Sequence, residues 1–143
     1  MVIVFPLALF TTATIFDLIA LASNNAAFDQ VGYWNIAVGI IGAVLAALTG
    51  LLDWTGIPAG TRAKRIGLLH AGANTVVLLL FVISWLTRVD NADHHASTGA
   101  VILEVLAVLI SGAAAWLGGE LVDRLGIGVD EDAHADASSS LAR

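Results

Sequence analysis

LTGLLDWTGIPAGTRAKRIGLLHAGAN, residues 48–74, is the stretch that decides the fold of this chain. It ends one apolar segment, crosses a short basic loop and opens the next apolar segment. It holds three of the six Lys and Arg residues, and it holds His70, the one His that lies within an apolar segment. Charge confined to a loop between two apolar runs is typical of a chain that crosses a membrane twice.

The composition of the whole chain supports this interpretation. The 143 residues are 58% hydrophobic and 13% charged, whereas soluble domains are about 45–50% apolar and about 25% charged. A helix needs about 20 apolar residues to span a bilayer, and the chain has four such runs, at about 2–22, 33–52, 66–87 and 100–117. We therefore predict an all-α integral membrane protein, an antiparallel four-helix transmembrane bundle formed by residues 1–129.

The remaining segments are polar. We predict a loop at Ser23–Gly32 and an acidic, disordered tail at residues 130–143, which contains four of the twelve acidic residues. The absence of Cys excludes disulfides, thiolate metal sites and a Cys nucleophile. Basic residues are few and form no patch with aromatic residues, so nucleic acid is not a predicted partner.

The distribution of basic residues predicts the orientation in the membrane. Five of the six fall on one side of the predicted bundle (Arg62, Lys64, Arg65, Arg124 and Arg143), and Arg88 alone falls on the other. The positive-inside rule then places both termini in the cytoplasm. The four Trp residues fall near helix ends and predict aromatic belts at both interfaces, Trp34 and Trp85 outside, Trp54 and Trp116 inside. The first run lacks a basic flank and exceeds a signal-peptide core, which favours an uncleaved helix.

The second apolar run carries two stripes of small residues at helical spacing. One stripe is Gly39, Ala43 and Ala47, and the other is Gly42, Ala46 and Gly50. Small residues at every fourth position let helix backbones approach closely in lipid. The stripes therefore predict close helix packing, either within the chain, with a second copy or with a larger membrane complex.

Two carboxylates and one arginine fall near the outer ends of the predicted helices. An ionisable residue within a membrane helix costs roughly 2.5–3.5 kcal/mol on insertion scales and usually faces the bundle interior. Asp17 and Glu104 lie at comparable depth, so they could share a proton or pair through water, and Arg88 could reach either. A proton pathway would need a relay to His70. Hydrogen bonding between helices is the interpretation that we favour for these residues.

His70 lies about one turn inside the inner end of the third run, and its face is small and polar. A neutral imidazole there could ligate haem iron through one nitrogen, while the other donates a hydrogen bond. Alternatively, His70 bonds a backbone carbonyl or Asp53. We identify His70 and Asn74 as candidate cofactor-binding residues, with no predicted metal or catalytic residue. The adjacent His94 and His95 are predicted to be surface residues.

Three segments carry a resemblance to a known family: VFPLALF (4–10), the 48–74 stretch, and GGELVDRLGIGV (118–129). They resemble an uncharacterised bacterial four-helix transmembrane family, known only as a domain of unknown function. Its members typically show His-Phe-Pro, Gly-Leu-Leu-Asp-Trp, Leu-Leu-His and Gly-Gly-Glu-Leu-Val motifs. The resemblance covers nearly everything except the acidic tail.

The resemblance implies a multi-pass protein of the bacterial plasma membrane. Some members are associated with Rieske-type iron–sulfur domains, which hints at electron transfer. The family's opening His is replaced here by Val4, and a His often seen after Gly-Gly-Glu-Leu-Val falls on Leu125. Only His70 matches, so one ligand of a bis-His haem site is absent.

Two functions follow from these observations. The first is a structural or accessory membrane protein that packs through its Gly/Ala faces and has no catalytic activity of its own. The second is a b-type haem protein for electron transfer, with His70 as axial ligand. The sequence favours the first, because the second lacks a ligand.

Overall fold

The computed structural model describes residues 4–139 and 141, and this part of the chain contains helices and turns but no strand. The helices are α1 (Val4–Ser23), α2 (Ala26–Gly56), α3 (Arg62–Leu86) and α4 (Thr98–Gly119), which a short π-helix (Glu120–Arg124) extends. All four α-helices are long and apolar enough to cross a membrane. The predicted all-α membrane fold is confirmed.

The second helix begins earlier than its hydropathy predicts. Position 25 is the N-cap, where the Asn25 side chain accepts the Ala27 N–H at 3.1 Å. Asp29 then lies in the first turn, where a carboxylate interacts favourably with the helix dipole. The predicted loop at Ser23–Gly32 is therefore wrong, because its polar residues cap and begin α2 rather than interrupt it.

The helices pack as two antiparallel pairs, α1 with α2 and α3 with α4. The pairs meet in the middle of the bundle, where the rings of Phe10 and Phe81 stack with centroids 4.1 Å apart. Around this stack lies the apolar core, which consists of Phe10, Ala13, Ile36, Val77, Phe81 and Ala107. The aromatic stack thus joins the first pair to the second.

The small residues of α2 pack against α1 over only part of their length. A Cβ at Gly39 would lie 2.7 Å from the Phe10 ring, and one at Gly42 would lie 3.2 Å from Phe5. Further along, nothing in the described chain lies within 4 Å of a Cβ built at Gly50. The stripes therefore pack within the chain at one end and are uncovered at the other.

We name the end of the bundle that contains the α2–α3 turn the basic end, because Arg62, Lys64 and Arg65 lie there. Two hydrogen bonds between Trp54 and Lys64 hold this turn. The Trp54 indole N–H donates to the Lys64 carbonyl at 3.2 Å, and Lys64 Nζ donates to the Trp54 carbonyl at 2.7 Å. The ammonium also lies 3.6 Å from the centre of the indole ring. Gly67 permits this packing, because a Cβ there would lie 2.8 Å from Trp54 Cδ1.

The described part of the acidic tail, residues 130–139 and 141, is exposed and contains turns. None of the described tail residues is buried against a helix of the bundle. Its predicted disorder stays a prediction.

We expect Gly39→Val to destabilise the bundle by about 1–3 kcal/mol, because the added side chain overpacks the ring of Phe10. The matched control is Gly72→Val, at a helical glycine with nothing within 4 Å of its built Cβ. Thermal unfolding in mild detergent measures both variants. Equal melting temperatures for the two would contradict the close α1–α2 packing.

Candidate functional site: a buried carboxylate–guanidinium cluster

Four polar side chains meet inside the bundle, at the end opposite the basic end. They are Asp17 from α1, Ser84 from α3, Arg88 from just beyond α3, and Glu104 from α4; we name them the ion cluster. The three charged members and Ser84 are all 0% exposed. Buried charges are rare in proteins unless they are paired, so this cluster is the chemically distinctive feature of the molecule.

One nitrogen of Arg88 holds the ion cluster together. Its Nη2 donates to Asp17 Oδ2 at 2.8 Å, to Ser84 Oγ at 3.1 Å and to Glu104 Oε1. The Ser84 hydroxyl donates in turn to Glu104 Oε1 at 2.5 Å. Charged hydrogen bonds of this kind are stronger than neutral ones, and here they connect α1, α3 and α4.

The local fold explains how a cation reaches the bundle interior. Arg88 follows the α3 C-cap, Thr87, and its side chain runs back along the helix to Ser84, one turn earlier. On the facing side, α2 passes close to Asp17: a Cβ at Gly32 would lie 2.5 Å from the carboxylate carbon. Gly32 therefore provides the space that the Asp17 carboxylate occupies.

The ion cluster is unbalanced in charge and in hydrogen bonds. Two carboxylates face a single guanidinium. Several buried polar atoms of the cluster find no hydrogen-bond partner in the described chain, namely Asp17 Oδ1, Glu104 Oε2, Arg88 Nε and Arg88 Nη1. A buried unpaired polar atom costs about 1–3 kcal/mol, so this arrangement is expensive unless a further group contributes.

The connection between α3 and α4, residues 87–97, closes this end of the bundle; we name it the histidine loop. His94 has a positive φ of 51° and donates from Nδ1 to the Arg88 carbonyl at 3.1 Å. Its ring stacks on Tyr33 with centroids 3.7 Å apart, and Tyr33 stacks on Trp85. The loop thus folds back on Arg88, near its own start, so that His94 contacts the residue that holds the ion cluster.

A second attachment fixes the other end of the histidine loop. The buried carboxylate of Asp29 accepts the Ala96 N–H at 2.8 Å and lies 3.4 Å from His95 Nδ1. The His95 side chain is 54% exposed, as predicted for a surface residue, whereas His94 is half-buried in the aromatic stack. The prediction of two surface histidines therefore holds only for His95.

His70 and Asn74, the candidate cofactor residues, lie together at the α3–α4 contact. His70 Nδ1 lies 2.8 Å from the Ala114 carbonyl, and Asn74 Nδ2 lies 3.1 Å from His70 Nε2. Because the Ala114 carbonyl oxygen can only accept a hydrogen bond, His70 carries its proton on Nδ1, and Nε2 accepts from the Asn74 amide. A Cβ atom added at Gly118 of α4 would lie 3.1 Å from the His70 ring, so this glycine lets α4 pack closely on the ring.

This arrangement does not fit haem. Iron needs a nitrogen lone pair that is free and has open space in front of it. Both His70 ring nitrogens are engaged, and helix α4 packs on the ring at Gly118. The sequence left two hydrogen-bond partners open for His70, a backbone carbonyl or Asp53. In the structure the partner is a backbone carbonyl, that of Ala114.

The sequence identified the three charged members of the ion cluster, with Arg88 in reach of either carboxylate. Asp17, Glu104 and Arg88 do come together. Ser84 and Asp29 were missed as site residues, although the pattern held a signal for each. Ser84 precedes Arg88 by four residues and so shares its helix face, and Asp29 follows an Asn by four residues, as acidic residues do in a first helical turn.

Comparison with known proteins identifies the family. Residues 1–131 match DUF2231, a family described as predicted membrane protein. The chain belongs to this family. No curated protein and no solved structure matches the chain. The match spans all four helices and the histidine loop, so the membership suggested by the three segments is confirmed. The function of the family is unknown.

We expect Arg88→Gln to lower the stability of the DUF2231 protein by about 3–5 kcal/mol, because it leaves two buried carboxylates without a cation. Arg65→Gln, an exposed arginine at the basic end, is the matched control and should change stability by no more than about 0.5 kcal/mol. Thermal unfolding in detergent compares them. A similar small effect for both variants would show that the ion cluster contributes little.

We expect His70→Ala to destabilise the protein by about 1–3 kcal/mol through the loss of its hydrogen bond to Ala114. Optical spectra of the haem-supplemented protein, oxidised and then reduced with dithionite, should contain no Soret band that depends on His70. A Soret band present in the unmodified protein and lost in His70→Ala would contradict the structural role of this residue.

Proposed function

We propose that this protein is a structural or accessory component of the bacterial plasma membrane, without catalytic activity of its own. In this proposal the basic end and both termini face the cytoplasm. The protein associates with a second copy of itself through the uncovered half of α2. The observation that carries the proposal is a change along α2: α1 covers its first small residues, whereas nothing in the described part of the chain covers Gly50.

The polar interior supports a structural role. The three charged residues of the ion cluster bond to one another and are 0% exposed. A catalytic group has to reach its substrate, and the ion cluster is closed on all sides by helices and by the histidine loop. His70, likewise, has both nitrogens engaged. These side chains hold the helices together, which is the role expected of an accessory protein.

The α2 surface supports association between copies. Gly42 lies against Pro6 and Phe5 of α1, and Gly50, two turns further on, faces open space. Ala47 is also exposed. A helix seated on Ala47 and Gly50 would therefore continue, on the same two stripes, the packing that α1 begins at Gly39 and Gly42. In lipid such packing is driven by close backbone approach, which small residues permit.

A second copy is the occupant that we infer for this surface. Homo-oligomers commonly form two-fold contacts in which the same patch meets itself, and small residues on both copies would let the two helix backbones approach closely. The contact would be isologous, with Gly50 of one copy close to Gly50 of the other.

Single-cysteine cross-linking tests this proposal, and the chain is well suited to it because it contains no Cys. We expect Ala47→Cys to form disulfide-linked dimers in vesicles under mild oxidation. Leu79→Cys, exposed on α3, is the control and should remain monomeric. Adding Gly50→Leu to the Ala47→Cys variant should reduce the dimer yield at least tenfold, while Gly72→Leu should leave it unchanged.

The same experiment can reject the proposal. Equal cross-linking of the Ala47→Cys and Leu79→Cys variants would indicate random collision in the membrane. Cross-linking of Ala47→Cys that is insensitive to Gly50→Leu would indicate a contact that does not use the small residues.

A further inference from the structure

We propose that the ion cluster is a proton-binding site, in which Asp17 and Glu104 together hold one proton beside Arg88. The two carboxylates accept from the same guanidinium nitrogen, so their oxygens lie within a few ångströms of each other. With both carboxylates ionised the cluster would carry a net negative charge at 0% exposure. Burial of an uncompensated charge is strongly unfavourable, and such groups neutralise instead.

The unpartnered oxygens support a proton at this position. Asp17 Oδ1 and Glu104 Oε2 are both buried and have no hydrogen-bond partner in the described chain. A proton on either oxygen removes the excess charge and converts one of two acceptors into a donor. Arg88 donates to the other oxygen of each carboxylate, Asp17 Oδ2 and Glu104 Oε1, and Ser84 also donates to Glu104 Oε1. Asp17 Oδ1 and Glu104 Oε2 are therefore the oxygens left to carry the proton.

No other charged group in the described part of the bundle replaces the proton. From α2, Asp29 interacts electrostatically with Asp17 and has the same sign. From the histidine loop, His94 bonds the Arg88 carbonyl and His95 faces Asp29. Apart from Arg88, the nearby side chains that can carry a positive charge are His94 and His95. Their hydrogen bonds are made with the Arg88 carbonyl and with Asp29, and not with Asp17 or Glu104.

The histidine loop controls how this proton exchanges with solvent. The loop is attached to Arg88 through His94 and to α2 through Asp29. Tyr33 and Trp85 pack beneath His94. Because the ion cluster is fully buried under these contacts, the proton leaves only when the loop opens. The site therefore binds a proton on the side of the membrane that the histidine loop faces.

Infrared spectroscopy of the protein in vesicles tests the proposal, because a protonated carboxyl group has a carbonyl stretch distinct from that of a carboxylate. We expect one such band near neutral pH, and a slow shift of this band in heavy water. Asp53→Asn, an exposed carboxylate at the basic end, is the control and should retain the band. Absence of the band in the unmodified protein would overturn the proposal.

The two isosteric variants distinguish a shared proton from a single neutral carboxyl group. Removal of either carboxylate leaves one anion paired with Arg88, so both Asp17→Asn and Glu104→Gln should lose the band. A band that persists in either variant would overturn the shared site, because it would mean that one carboxyl group is neutral regardless of the other. Neither substitution leaves a buried charge unpaired, so both variants should fold.

Stability as a function of pH provides a second measurement. A folded state that binds one more proton than the unfolded state loses stability as pH rises. The melting temperature of the unmodified protein should therefore fall as the pH rises above about 4, the ordinary pKa of a carboxyl group in the unfolded chain, until the folded site also releases its proton. That of Glu104→Gln should fall less over the same range. Parallel pH profiles for the two proteins would overturn the proposal.

Discussion

The bundle depends on one guanidinium group shared between two carboxylates. Arg88 Nη2 joins α1 through Asp17 and α4 through Glu104, and its own backbone follows α3. In an apolar environment the packing of side chains alone discriminates poorly between helix arrangements, because lipid is as apolar as the side chains themselves. A buried ionic contact has only one satisfactory geometry, so it specifies which helices meet and at which depth.

The other contacts of the molecule are consistent with this constraint. At the same end of the bundle, Gly32 lets α2 approach the Asp17 carboxylate, and the histidine loop closes over Arg88. In the middle, Phe10 and Phe81 stack between the two helix pairs. At the basic end, Trp54 and Lys64 fix the α2–α3 turn. Each level thus joins different helices of the bundle.

The two ends of the bundle differ in how completely they are packed. The end under the histidine loop is closed and holds the buried charges. Towards the basic end, α2 extends beyond the part that α1 covers, and its small residues face outward. The closed polar interior and the exposed small residues of α2 are the two observations on which the proposed accessory role is based.

The sequence by itself determined the membrane environment, the number of helices and the family, because these follow from composition, run length and local motifs. It also identified Asp17 and Glu104 as costly residues that require partners. Only the tertiary structure decided which partners they have. Arg88 appears in the sequence as a loop residue, and Asp29 as part of a polar loop, because hydropathy along the chain carries no information about which side chains face each other. The surroundings of His70 became visible in the same way: spacing made it a possible ligand, and in the structure the Ala114 carbonyl of another helix and the Asn74 amide of its own helix contact its two ring nitrogens.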